Sequence, residues 1–277
     1  MLIEAGKRVG VVGTTGNRIA GEELDTVYTT PPAPIWQGLL SQMLRSKCDT
    51  VVAEVSSIAL STKRVAATDF SVGVFTNLSR DHLDFHGTFE SYVGAKALLF
   101  SDLVRSSGHV IYNGEDPYAR EIVGERSDLT YWSFGLKGGD ISPRSLHLDA
   151  GGVRGEIQTP FGDIQLRSSL VGRHNVENSL AAIGCALSLG LEISDIESGL
   201  SALSGVPGRV ERVDNEMGIS VFVDYAHTPD AIISVGRVLR ELTDGRLILV
   251  FGCGGDRDAG KRPEMAKSAS EVADLVI

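Results

Sequence analysis

A chain of 277 residues is long enough for one or two domains with substantial hydrophobic cores. Apolar residues make up 42% and charged residues 22%, the balance of an ordinary soluble globular protein. A net charge of −10 argues against the basic footprint of a nucleic-acid-binding surface, yet a few local arginines can still make a pocket for an anionic small molecule.

In chain order, the start MLIEAGKRVGVVGTTGN lacks the apolar core of a signal peptide. Brief β-branched runs at 9–13, 50–55, 72–76 and 109–112 predict buried strands. Amphipathic patterns at 35–45 and 89–104 predict helices between them. This alternation implies an α/β fold with a doubly wound, mostly parallel central sheet. Between 130 and 171 the runs shorten, alternate and are split by glycines, which predicts a β-meander. Two helices are expected at 175–190 and 193–203. SGVPGRVE at 204–211 punctuates the chain and divides it into domains at 1–205 and 206–277. Beyond it come a strand at 219–223, a helix at 230–242, a strand at 246–251, a helix at 265–272 and a strand at 273–277. These are the parts of a second, Rossmann-like α/β domain. No apolar run approaches the roughly 18 residues of a membrane span. Cys48, Cys185 and Cys253 are scattered and odd in number, which fits no disulfide framework and points to a reducing, cytoplasmic compartment.

Two polar clusters follow predicted strands, at the carboxyl edge where open α/β sheets hold ligands. In AEVSSIALSTKRV (53–65), Glu54 ends an apolar strand. A carboxylate there needs solvent, hydrogen-bond donors or a cation, and Mg²⁺ suits a site that also holds phosphate oxygens. In TNLSRDHLDFHGTFESYVGAK (76–96), two histidines and two aspartates fall between Asp81 and His86. A solvated, capped loop is the plain alternative for any single one of them.

The ordered motifs EVSS-x-AL-x-x-x-RV, FTNL-x-RDHLD-x-HG, Y-x-x-AK-x-LLF, GRHNVENSLAA, PGRVE, VDYAHTPD and FGCGGDRDAGKRP resemble the Mur ligase family over nearly the whole chain. The last two are most similar to the branch that adds the third residue of the peptidoglycan precursor. The resemblance implies an ATP-dependent amide ligase acting on UDP-MurNAc-L-Ala-D-Glu through an acyl phosphate, with a diamino acid as the attacking amine. Meso-diaminopimelate is the expected amine, and L-lysine the alternative.

Residue roles follow from that resemblance alone. Glu54 is implied as a Mg²⁺ ligand near the ATP phosphates, His82 as a ligand of a second Mg²⁺, and Lys96 as a lysine that becomes a carbamate and holds that second ion. Thr29, Thr30, Ser56 and Arg64 are implied to contact the UDP-sugar peptide. Asn178, Arg209, Asp224 and His227 are implied to face ATP, and Arg257 to meet the carboxylate of the diamino acid. Taken singly, Lys96 reads as an ordinary helix lysine, Asn178 as an exposed helix side chain, and Arg257 as a surface turn.

Gly255-x-x-x-x-Gly260-Lys261 imitates the opening of a phosphate loop, but Arg262 replaces the hydroxyl residue that such a loop needs. Three departures from the family pattern stand out. A G-T-N-G-K-T-type loop is expected ahead of residue 1, Ile58 stands where histidine is usual, and a D-N-P-R-type segment is expected after residue 277. The expectation is therefore a ligase chain truncated at both ends. Its alternatives are an inactive fragment, a non-catalytic module that binds the UDP-sugar peptide, or a generic nucleotide-binding protein.

Overall fold

A computed structural model describes residues 1–25, 27–79, 81–253 and 261–277. Arg257 and the Gly255–Gly260 stretch lie outside the described residues. The chain divides into two compact units. The first comprises Met1–Arg144, Glu156–Ile164 and Glu177–Leu200; the second comprises Ser145–Gly155, Gln165–Val176 and Ser201–Ile277.

The first unit opens with one α-type turn, closed by the Ala5 amide donating to the Met1 carbonyl at 2.9 Å. The turn does not extend into a helix, because Gly6 at φ +73° turns the chain away after it. Strand β1 (Val9–Val12) then pairs in parallel with β4 (Thr50–Ala53), with Val12 opposite Ala53. On its other side β1 carries β2 (Asn17–Ile19), antiparallel, and beyond it β3 (Glu22–Leu24). The sequence reading passed over β2 and β3, since three residues are too few to show a period.

Helix α1 (Ala33–Arg45) connects β3 to β4. Its buried residues Trp36, Leu39 and Met43 recur at the spacing of one helical face. They pack with Val12, Ile19, Leu60 and Val65. The Trp36 indole donates to the Thr68 hydroxyl at 2.8 Å, so this large buried ring keeps its polar atom paired. Short helix α2 (Ser57–Ser61) follows β4.

A second sheet is wholly parallel, with β6 (Val104–Asn113) between β5 (Phe70–Phe75) and β7 (Thr130–Phe134). Its core gathers Phe75, Val93, Phe100, Val110 and Ile122. Between β5 and β6 lie α3 (Leu83–His86) and α4 (Phe89–Leu98), then a π-helical turn over Leu99–Leu103. The expected helix at 89–104 is therefore shorter, and Val104 already belongs to a strand. The β5–β6 register shifts between Phe70 and Val72, and Gly108 fits there because a Cβ would meet the Arg105 carbonyl at 2.7 Å.

After β6 come α5 (Ala119–Val123) and β7. The stretch expected as a meander from 130 is reassigned at its start. Residues 130–134 join the parallel sheet, and only β8 (Ser142–Asp149), β9 (Gly152–Gln158) and β10 (Ile164–Ser168) make the separate three-stranded sheet. An edge strand and a meander strand share the same alternating pattern, so sequence cannot tell which partner it will take. Helices α6 (Arg173–Ser188) and α7 (Ile193–Ala202) follow as expected.

The second unit contains the antiparallel pair β11 (Glu211–Val213) and β12 (Val221–Val223), and the parallel pair β13 (Ile248–Leu249) and β14 (Leu275–Val276). Helix α8 (Pro229–Glu241) starts at a proline after the Thr228 cap, whose hydroxyl accepts from the Ala231 amide. It packs on α9 (Lys261–Val272) around Ile232, Met265 and Ala269. Arg240 ties this layer together, donating to Asp274 at 2.6 Å and to the Val272 carbonyl at 3.3 Å. That guanidinium holds the Asp274 carboxyl below the usual carboxylate range. Among the described residues no helix is long and apolar enough to cross a membrane.

Trp36 is 1% exposed and anchors the first core. Trp36→Ala should cost about 3–5 kcal/mol of stability by cavity formation. Urea unfolding followed by circular dichroism measures it, and a loss below about 1 kcal/mol would show that α1 does not depend on this ring.

Candidate active site

The parallel pairing of β1 and β4 ends with the Glu54 amide donating to the Val12 carbonyl at 2.9 Å. The next residues of both strands therefore emerge side by side. The Thr14 amide donates to Glu54 Oε1 at 3.1 Å, and the Thr14 hydroxyl donates to Oε2 at 2.6 Å. Thr14 Oγ1 also lies 3.2 Å from Thr29 Oγ1. The carboxylate expected to need donors has them from a residue that the sequence reading did not single out. The signal was present: a polar, glycine-flanked turn at the carboxyl end of a strand.

Thr30 is almost fully buried, with 1% exposure, and works as a clasp. Its hydroxyl donates to the Glu54 carbonyl at 2.8 Å and accepts from the Ser56 amide at 3.1 Å. Its own carbonyl accepts from Arg64 Nη1 at 2.8 Å. Arg64 Nε donates to Thr62 Oγ1, and the guanidinium carbon lies 5.9 Å from the centre of the Tyr28 ring. Ser56 caps α2, its hydroxyl accepting from the Ala59 amide at 3.2 Å. Thus Glu54, Thr29, Thr30, Ser56 and Arg64 form one connected group, joined by Thr14.

The second cluster lies around α3 and α4. His82 takes a left-handed conformation at φ +52° and caps α3, and its amide donates to Asp81 Oδ1 at 2.7 Å. Its Nε2 lies 3.6 Å from Asp81 Oδ2. Tyr92 and Lys96 are four residues apart on α4, so they share a face. The Lys96 ammonium lies 5.2 Å from the centre of the Tyr92 ring. The rings of His82 and His86 approach the same tyrosine at 6.1 and 5.3 Å. Burial pushes the Lys96 amine below the ordinary lysine range, and the nearby Asp81 charge opposes that shift. Burial also lowers the His86 imidazole, with His82 acting in the same direction. Burial raises the Tyr92 phenol, and Asp81 adds to it.

One contact ties the two clusters. His86 Nε2 lies 2.9 Å from the Ser57 hydroxyl, at the first residue of α2 beside Ser56. His86 and Ser57 belong to the quoted motifs, but neither carried a role in the sequence reading. Among the described residues no three His, Cys, Asp or Glu side chains form a complete metal site on their own. A divalent cation there would need further oxygen donors, such as phosphate, water or a modified lysine.

The remaining candidates lie elsewhere. Asn178 is exposed on α6 of the first unit. In the second unit Asp224 turns inward, its Oδ2 accepting from the Val210 amide and its Oδ1 from the Ala226 amide, both at 2.8 Å. It thereby braces the 207–210 turn, where Val210 sits at φ +45°. Arg209 is exposed on that turn. His227 Nδ1 lies 2.9 Å from the Tyr225 carbonyl, and its ring meets the Tyr225 ring edge-on at 5.1 Å. Asp224 and His227 help to line a cavity of about 700 Å³ with Ile232, Phe251 and Met265. Arg257 lies outside the described residues.

With this geometry in hand, comparison with known proteins identifies the family. Residues 1–186 match the Mur ligase middle domain, and residues 208–277 match the Mur ligase glutamate ligase domain. The chain is 45% identical, over its whole length, to 56% of a UDP-N-acetylmuramoyl-L-alanyl-D-glutamate–2,6-diaminopimelate ligase from Gloeobacter violaceus. It is 44% identical to the protein of the same name from Trichormus variabilis, over 99% of this chain and 56% of that one. The chain therefore spans about half the length of the curated relatives it matches. A solved diaminopimelate ligase structure superposes with a TM-score of 0.81 and 32% identity, covering 99% of this chain and 56% of that one. The folylpolyglutamate synthetase of Lactobacillus casei shares the fold at a TM-score of 0.70 and 18% identity, covering 99% of this chain and 72% of that one. The two matched domains, in the order that the motifs require, make this chain a member of the Mur ligase family.

Proposed function

We propose that the chain supplies the central and C-terminal parts, at 1–205 and 206–277, of an ATP-dependent ligase that adds meso-diaminopimelate to UDP-MurNAc-L-Ala-D-Glu in cytoplasmic peptidoglycan synthesis. The observation that carries this reading is the linked pair of clusters: Glu54 held at the ends of β1 and β4, and Lys96 half-buried on α4 against Tyr92, whose ring also meets His86 of the His86–Ser57 contact. The names of the 45% and 44% identical relatives support the choice of amine.

The chemistry needs a carboxylate turned into an acyl donor. Phosphorylation of the D-glutamate carboxylate provides a leaving group, and the diamino acid's amine then displaces phosphate. Positioning and charge neutralisation do most of the catalytic work in such a transfer. The residues present fit Mg²⁺, because the exposed Glu54 carboxylate is a hard oxygen donor held in one orientation by the Thr14 amide and hydroxyl. Glu54 would hold one such ion, and His82 with Lys96 as a carbamate would hold a second. When bound, Mg²⁺ supplies positive charge to the transferring phosphoryl group.

Lys96 fits its role through its environment. Partial burial favours the neutral amine, which is the form that attacks carbon dioxide. The carbamate so formed exchanges a cation for an oxygen anion on the same helix face. Arg64, Thr29, Thr30 and Ser56 serve the UDP-sugar peptide, with Thr30 acting from beneath as the clasp that orients Arg64 and Ser56. Asn178, Arg209, Asp224 and His227 serve ATP, and Arg257 serves the incoming amino acid.

The direct test is Mg²⁺-ATP-dependent phosphate release by the complete ligase that contains this chain, with UDP-MurNAc-L-Ala-D-Glu and an amine. Release with meso-diaminopimelate and not with L-lysine is expected. Release only with L-lysine would move the chain to the other branch. No release, together with tight precursor binding, would replace the ligase by a non-catalytic binding module.

In the complete ligase Lys96→Ala should nearly abolish turnover, and short carboxylic acids should restore part of it; a variant with full rate would remove the carbamate role. A second measurement concerns stability. Below the lysine's folded pKa the ammonium is buried at a cost, and that cost vanishes as pH rises to the ordinary lysine value. Lys96→Met should therefore be more stable than the parent at pH 7, and its advantage should shrink toward pH 10. Thermal melts across that range check it, and an advantage that grows with pH would contradict the burial argument.

A further inference from the structure

We propose that Gly13 and Thr14 form a carboxylate clamp that orients Glu54, which makes Thr14 a positioning residue for the cation-binding carboxylate. The proposal rests on the reading of Glu54 as a metal ligand given above.

Thr14 takes hold of both oxygens of Glu54. Its amide donates to Oε1 at 3.1 Å and its hydroxyl to Oε2 at 2.6 Å. A hydroxyl has one proton, and an ionised carboxylate can only accept. The Thr14 proton is therefore committed to Glu54. Across the 3.2 Å contact between Thr14 Oγ1 and Thr29 Oγ1, Thr29 must then be the donor. The hydroxyls form a chain polarised in one direction, from Thr29 through Thr14 to Glu54, and each bond strengthens the next.

The backbone leaves little freedom in this arrangement. The β1–β4 register sets Val12 opposite Ala53, so residues 13 and 14 reach Glu54 by strand pairing alone. The Gly16 amide donates to the Gly13 carbonyl at 3.1 Å and closes a turn that fixes Thr14. Gly13 is buried, and a Cβ on it would lie 2.7 Å from Oε1 and 3.0 Å from the carboxyl carbon. Only glycine lets the chain pass this close to the carboxylate.

Glu54 is exposed, and a free glutamate has several torsions to lose before it can bind a cation in one geometry. The clamp removes that freedom in advance. It uses one acceptor position on each oxygen and leaves the other for a cation or its water. This is the work of an outer-shell partner, and the loss of such partners typically weakens metal binding by about 10–100-fold.

The test titrates the chain with Mn²⁺, a paramagnetic stand-in for Mg²⁺, and reads free Mn²⁺ by electron paramagnetic resonance beside a thermal melt. Thr14→Val keeps the shape and loses the hydroxyl. It should weaken Mn²⁺ binding roughly tenfold, about 1.4 kcal/mol, with little change in melting temperature. Thr14→Ser keeps the hydroxyl and should bind as the parent does. Thr29→Val, one bond further out, should show a smaller loss and provides a readout if Thr14→Val folds poorly. Glu54→Gln separates the two ideas. If Glu54→Gln loses Mn²⁺ and Thr14→Val does not, the clamp is wrong while the metal reading stands. If Glu54→Gln binds as tightly as the parent, the metal reading itself falls. Equal losses in Thr14→Val and Thr14→Ser would overturn the role of the hydroxyl.

Discussion

The parallel pairing of β1 with β4 is the constraint from which the candidate site follows. Parallel strands end on the same side, so their next residues are delivered to one place. Here those residues are Gly13 and Thr14 from one strand and Glu54 from the other. Antiparallel pairing would have sent them to opposite edges of the sheet. Thr30 then fastens the neighbouring loop onto the Glu54 carbonyl and the Ser56 amide, almost without exposure to solvent. Buried and doubly bonded, it stabilises the site more than it decorates it.

Helix α4 adds the second half. Its side chains at positions 92 and 96 face the same way, and Tyr92 becomes the floor on which Lys96, His82 and His86 rest. That floor partly removes the lysine from water, and the change of solvent, rather than a neighbouring cation, lowers its proton affinity. Asp81 moderates the effect. The contact between His86 and Ser57 joins this helix to α2, so the carboxylate cluster and the lysine cluster belong to one bonded framework.

The second unit uses its polar residues differently. Both oxygens of Asp224 serve backbone amides within the unit, which stabilises a turn containing a non-glycine residue in left-handed geometry. A role toward a nucleotide would act through the remaining lone pairs of that carboxylate and through the exposed Arg209 and His227 beside it. Arg240 and Asp274 meanwhile bind α8 to the end of α9 and to β14.

Much was legible in the amino-acid order. Strand–helix alternation predicted the α/β class, and β-branched runs located β1, β4, β5 and β6, because such residues favour extended backbone; the run at 50–55 is nevertheless not buried, since Val51 and Val52 of β4 are exposed. The family motifs also pointed to Glu54, His82 and Lys96 as candidates, although Lys96 taken singly reads as an ordinary helix lysine. What sequence could not supply was partnership across distance. Thr14 and Glu54 stand 40 positions apart, and His86 and Ser57 stand 29 apart, joined only after strands and helices had packed. The same limit explains residues 130–134, whose pattern suited either sheet until β6 offered the pairing edge. Local motifs therefore named the candidate residues, and tertiary structure decided which neighbours hold them, because hydrogen bonds form between atoms near in space and not between residues near in sequence.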